Sequence, residues 1–134
     1  MRYLALDLGD RRIGVAISDT LGIIARPLAV VQRTSRAADF AQYAALIQEH
    51  GVEALVVGLP LQMDGSEGSQ AAWVRDYSAE LGTVINVPIH LWDERLTTQE
   101  AIRVMHAQDK TPRKEWIDAV AAAVILQSYL DARG

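Results

Sequence analysis

The chain has 134 residues, 50% of them hydrophobic and 22% charged, with a net charge of −4. That length suits one domain with a single core. The absence of cysteine excludes disulfides and thiolate metal sites, and no apolar run approaches the roughly 20 residues that span a bilayer. Arg2 is the only early positive charge and Asp7 follows before a signal-peptide core develops, so a cytoplasmic location and no membrane partner are the expectation. The acidic balance leaves nucleic acid open as a partner. Eleven of the thirteen basic residues are Arg, grouped as Arg11-Arg12, Arg33 with Arg36, and Arg113 beside Lys110 and Lys114, and Arg forks well onto phosphate.

Residues 2–8 read as a buried strand, and Gly9-Asp10-Arg11-Arg12 as a compact turn. Residues 13–18 form a second strand, with Gly14 where a backbone approaches closely. A turn at 19–22 leads to a third strand over 23–32, where Pro27 demands a sheet edge. Thr34 or Ser35 caps a helix over 37–49, with Phe40, Tyr43, Ala44 and Ile47 at helical spacing, and Gly51 ends it. Residues 53–59 are a buried strand leading into Pro60. A polar loop then precedes a helix at 69–81, and residues 87–92 make a fifth strand. Thr97 or Thr98 caps a helix running to about His106, Thr97 and Glu100 having capping-box spacing. A basic, turn-rich stretch over 108–114 leads to a last helix over 115–132. The order βββαβαβαα predicts an α/β fold. Its five-stranded mixed sheet has three antiparallel strands followed by parallel β/α units, all in one domain over 1–134.

Ligands of open α/β sheets bind beyond the carboxyl ends of the parallel strands. Asp7 ends the first strand, Asp93-Glu94 follow the fifth, and Asp118 begins the apolar segment 119–126. These acids are able to meet at one sheet edge, where a carboxylate cluster suits a hard ion, Mg²⁺ or Mn²⁺. Each also has a plainer reading. Asp7 would cap a turn, Glu94 would pair with Arg95 or another Arg, and Asp118 would be an acid facing a helix dipole. His50, His90 and His106 share no ligand spacing and read as surface or packing residues. No P-loop and no nucleophile elbow occurs. Trp73, Trp92 and Trp116 fall on separate elements, as core anchors rather than a base-stacking platform.

Four blocks carry a resemblance over essentially the whole chain. They are the opening segment 4–19, including Asp7-Leu8-Gly9-Asp10-Arg11-Arg12-Ile13-Gly14, then Gly58-Leu59-Pro60 through Gly68, then Trp92-Asp93-Glu94-Arg95-Leu96-Thr97-Thr98, and finally 117–130 with Asp118. Their content and order resemble the YqgF/RuvX family. That resemblance implies a ribonuclease H-like fold and a nuclease described either as a Holliday junction resolvase or as maturing the 5′ end of 16S ribosomal RNA. It also implies Asp7, Glu94 and Asp118 as catalytic, metal-holding acids. The loop preceding the last helix is often more basic in relatives than Lys110-Thr111-Pro112-Arg113-Lys114 is here.

Phosphodiester hydrolysis fits three carboxylates that hold one or two divalent ions. Arg11, Arg12, Arg95, Lys110, Arg113 and Lys114 are then candidates for substrate phosphate, with Arg11, Arg12 and Arg95 equally able to neutralise Asp10, Asp93 or Glu94. Residues 58–60 and 64–66 form either a loop over the substrate or simple turns. Two other readings compete. An actin-like ATP-binding protein opens in the same way but requires two related domains. An inactive nucleic-acid-binding module of the same fold would need none of the three acids. A homodimer would suit a four-way junction.

Overall fold

The computed structural model describes residues 1–97, 99–108 and 116–133. β1 (Tyr3–Leu8) is apolar on both faces because it lies at the centre of a sheet. Leu4, Leu6 and Leu8 enter one core cluster, Tyr3 and Ala5 the other, as the two-residue period of a strand requires. β2 (Arg12–Ser18) and β3 (Ala25–Gln32) extend the sheet antiparallel on one side. β4 (Ala54–Leu59) and β5 (Ile89–Asp93) extend it in parallel on the other, in the order β3-β2-β1-β4-β5. The expected mixed sheet is the one observed.

α1 (Arg36–His50) and α2 (Ser69–Leu81) cover the leucine face through Phe40, Tyr43, Val74, Tyr77 and Leu81. The Ser35 side chain accepts from the Ala38 N–H to cap α1, and Gly51 closes it with φ 64°. α3 (Gln99–Gln108) and α4 (Ile117–Arg133) cover the opposite face. That interface is built from small residues: Ala5, Ala16, Ala25 and Ala54 on the sheet, Ala119, Ala122 and Ala123 on α4. Small side chains on both partners let α4 settle close to the strands. Burial around most of its circumference explains why its sequence is apolar nearly throughout.

Pro27 lies on the edge strand as expected, opposite Ala16 and beside a register shift at Val15/Ala16. β3 starts at Ala25 rather than residue 23 because local contacts take the preceding backbone groups. The Ile23 and Ile24 N–H groups donate to Asp19 Oδ1 at 2.7 and 3.0 Å. The Gln127 side chain donates to the Ile23 carbonyl and accepts from the Ala25 N–H, each at 2.9 Å. β5 begins at Ile89 and runs one residue further than expected, Asp93 pairing with Leu59. Trp73 and Trp92 pack against Tyr77 and Tyr129 as core anchors, and His90 stacks on Tyr129. The cap assigned to Thr98 and the start of the last helix at Glu115 lie outside the described residues.

Candidate active site

Asp7 sits in a row that crosses the sheet between two glycines. Gly14 of β2 is its direct antiparallel partner. On the other side, the register Leu6–Val57 brings Gly58 of β4 alongside it. Alternation places all three on the face covered by α3 and α4. A Cβ on Gly14 would fall inside the contact envelope of the Asp118 carbonyl and 3.0 Å from the Ala119 nitrogen. A Cβ on Gly58 would lie 2.7 Å from Glu94 Oε1 and 3.0 Å from Ile125 Cδ1. The missing side chains therefore let the first turn of α4 descend on β2, carrying Asp118, and leave a slot for the Glu94 carboxylate. The row lies at the carboxyl ends of β1 and β4, next to the point where the sheet order reverses direction.

Glu94 reaches Asp7 because Arg95 is occupied elsewhere. The Asp93 side chain accepts the Arg95 N–H at 2.9 Å and starts a single 3₁₀ turn, Glu94–Leu96. The Arg95 guanidinium returns to the same carboxylate, Nε at 3.1 Å from both oxygens and Nη2 at 2.7 Å from one. Arg95 thus neutralises Asp93, and Glu94 shares a hydrogen bond with Asp7 in which the Glu94 carboxyl donates. Burial, then the Asp7 charge, pushes Glu94 up to about 7. Asp7 is raised as well, by burial first, against the lowering effect of the Glu94 hydrogen bond and with a contribution from the Asp118 charge.

These shifts carry a stability consequence. A folded-state Glu94 value near 7 lies above its ordinary 4.5, so between those values the folded chain holds a proton that the unfolded chain has released. Stability of metal-free protein therefore falls as pH rises through that window, while below it both states are protonated, the stabilisation is fully present and its pH dependence vanishes. Urea midpoints in EDTA at about pH 5 and about pH 7.5 check this. The wild-type fall is expected to exceed that of Glu94→Gln, which donates the same hydrogen bond without titrating, and equal falls would refute the assignment.

Asp118 stands close enough to influence Asp7, but its Oδ2 accepts from Arg12 Nε at 2.7 Å. Among the described residues no three acid or imidazole side chains converge as a metal-holding group. The structure thus brings Asp7 and Glu94 into contact, with the third acid beside them and turned to an arginine. Gly9, Asp10, Arg11, Arg12 and Asp118 line an open recess on one side of the acids. Asp7, Glu94, Thr97, Ile102, Ala121, Val124 and Ile125 line a more apolar one on the other.

A family model described as RuvX, Holliday junction resolvase, matches residues 1–132. The chain belongs to the RuvX family. A relative from Anaeromyxobacter sp. (strain Fw109-5), named "Putative pre-16S rRNA nuclease", is 50% identical over 99% of this chain and 98% of its own length. One of the same name from Moorella thermoacetica is 47% identical over 100% and 97%. Among solved structures, Thermus thermophilus RuvC superposes with a TM-score of 0.65 at 17% identity, covering 99% of this chain and 96% of that one. The fowlpox virus resolvase in complex with Holliday junction DNA gives 0.58 at 11%, covering 99% of each. At such identities the likeness establishes the fold, which is ribonuclease H-like.

Within this RuvX chain, two functional features escape a linear reading. Gly58 lies in the strand expected to lead into Pro60, and its structural role, a bareness that admits Glu94, goes beyond the loop or turn expected of residues 58–60. A glycine inside an apolar strand run, the signal that marks Gly14, was available there too. Arg33 is the other. Its Nη1 donates to the Gly9 and Asp10 carbonyls at 3.0 and 2.8 Å, its guanidinium lies 4.5 Å from the Trp73 ring centroid, and its backbone N–H donates to the Arg11 carbonyl. Arg33 thereby fixes the turn that follows Asp7. Arg11 is exposed on that turn, and nothing among the described residues pairs with its side chain. Residues 64–66 form a local turn in which Ser66 donates twice to Asp64, held near Arg95 by the Met63 carbonyl. Lys110, Arg113 and Lys114 lie outside the described residues.

Proposed function

We propose that the chain is a divalent-metal-dependent endonuclease for structured nucleic acid, with Asp7, Glu94 and Asp118 as its catalytic carboxylates. The observation that carries this reading is the Asp7–Glu94 pair, two acids pressed together at the ligand-binding edge of the sheet with raised proton affinity. Strongly perturbed acids in a cleft are a mark of function. Their donor set is all hard oxygen, which suits Mg²⁺ or Mn²⁺, and a cation there would offset the burial and the mutual charge that raise both acids. Asp7, central in the row, would bridge, with Glu94 and Asp118 flanking. A bound ion would supply an activated water and stabilise the leaving oxygen. Arg11 and Arg12 would grip the phosphate backbone and orient it, while Arg95, already committed to Asp93, would contribute through its remaining exposed surface. Lys110, Arg113 and Lys114 would add positive charge to the same substrate path.

The substrate we favour is precursor 16S ribosomal RNA, because relatives at 40–50% identity carry that name. The family description supports a four-way DNA junction as the second reading, which would require a homodimer to make paired cuts. No described helix is long and apolar enough to cross a membrane, in keeping with a cytoplasmic site of action. Purified protein offered precursor rRNA and a four-way junction in Mg²⁺ and in Mn²⁺ tests the assignment. Metal-dependent cleavage of at least one is expected. Binding without cleavage of either would leave the inactive module as the correct reading.

The exposed Arg11 yields a separate prediction. Arg11→Ala is expected to weaken all sequences alike and to lower the slope of log affinity against log salt by about 0.9 on duplex or 0.7 on single strands. An unchanged slope would remove Arg11 from the phosphate contacts.

A further inference from the structure

The Arg12–Asp118 pair holds the third acid away from the other two. Bare Gly14 lets the first turn of α4 rest on β2, so the Asp118 backbone lies against the direct strand partner of Asp7. The Asp118 carboxylate is engaged by the 2.7 Å hydrogen bond from Arg12 Nε. Both partners are accessible, the Arg12 side chain 56% and that of Asp118 31% exposed, and both line the recess with Gly9, Asp10 and Arg11. An anion entering that recess meets the Arg12 guanidinium. A phosphodiester oxygen offers it the same charge-assisted contact that Asp118 now supplies.

We propose that Arg12 is a positioning residue that keeps Asp118 out of the metal site until a substrate phosphate takes the guanidinium in its place. The proposal rests on the reading of Asp7, Glu94 and Asp118 as a metal-holding set. No bond is made or broken in this exchange; Arg12 trades a carboxylate for a phosphodiester, and Asp118 trades a guanidinium for the ion. Metal and nucleic acid consequently help each other to bind, each removing one half of the latch, and by linkage the help is mutual. A free chain without substrate therefore holds metal weakly.

The test is Mn²⁺ binding to the full chain without nucleic acid, read from the electron paramagnetic resonance of free Mn²⁺, with circular dichroism to follow folding. Arg12→Gln is expected to bind Mn²⁺ about two- to fivefold tighter than wild type, the equilibrium weight of one exposed ion pair. Arg12→Lys, which retains the charge but lacks the Nε–H, gives part of the gain and serves as the second variant. A merely structural Arg12 would instead weaken metal binding when replaced. The gain must vanish in an Asp118→Asn background, because the effect runs through that carboxylate. Unchanged or weaker binding in the Arg12 variants overturns the latch. So does an equal gain with and without Asp118, which would report only the removal of a nearby positive charge. Absence of Mn²⁺ binding by wild type, or binding that survives Asp7→Asn unaltered, overturns the metal-holding set itself and the latch with it.

Discussion

Asp7→Asn is expected to lower cleavage at least about a thousandfold while leaving the metal-free fold as stable as wild type or more so. Loss of the central carboxylate removes charge stabilisation worth several kcal/mol, and each 1.4 kcal/mol is a factor of about ten in rate. The stability arm follows from the geometry. Asp7 is raised by burial and by the Asp118 charge, and its own charge helps to raise Glu94. Its ionised form is thus a cost to the folded state, which the isosteric amide removes. Single-turnover cleavage together with thermal melts in EDTA at about pH 7.5 reads both arms. Normal turnover by the folded variant would eliminate Asp7 from the chemistry, and a marked drop in melting temperature would make Asp7 a structural acid.

The second large effect is expected at the two glycines, and the two are expected to differ. Gly14→Ala places a methyl group against the Asp118 carbonyl and the Ala119 nitrogen, both backbone. The helix cannot yield without lifting the small-residue interface of Ala119, Ala122 and Ala123 from the sheet. Overpacking of this kind costs about 3 kcal/mol or more, roughly a 10 °C fall in melting temperature for a domain of this size, with activity lost as Asp118 moves. Gly58→Ala meets chiefly the Glu94 carboxylate and the end of the Ile125 side chain, which are able to rotate. It is expected to keep most of its stability and to lose cleavage and metal affinity. Melting curves and metal titrations on the two variants check the contrast, and equal destabilisation would contradict the distinction between backbone and side-chain neighbours.

Much of this chain is legible from its residues in order. The apolar run of residues 2–8, the cap at Ser35, the stop at Gly51 and the edge position of Pro27 are local signals, each set by side-chain character or backbone conformation within a few residues. Asp7 at a strand's carboxyl end is legible for the same reason, and so is the demand of Gly14 for a close neighbour. The motif blocks add the family, and with it the ribonuclease H-like fold.

The partnerships between charged groups distant in sequence were decided by tertiary structure. Whether Glu94 would meet Arg95 or Asp7 depended on Asp93 capturing Arg95 within its own turn, and on Gly58 being bare where β4 passes Glu94. Asp118 and Arg12 are 106 positions apart and meet because Gly14 lets α4 sit low over β2. Period and capping act over a few residues and so are written in the sequence. Contact between distant carboxylates is a matter of strand register and of missing Cβ atoms on neighbouring elements, and these acquire meaning only when the sheet has assembled.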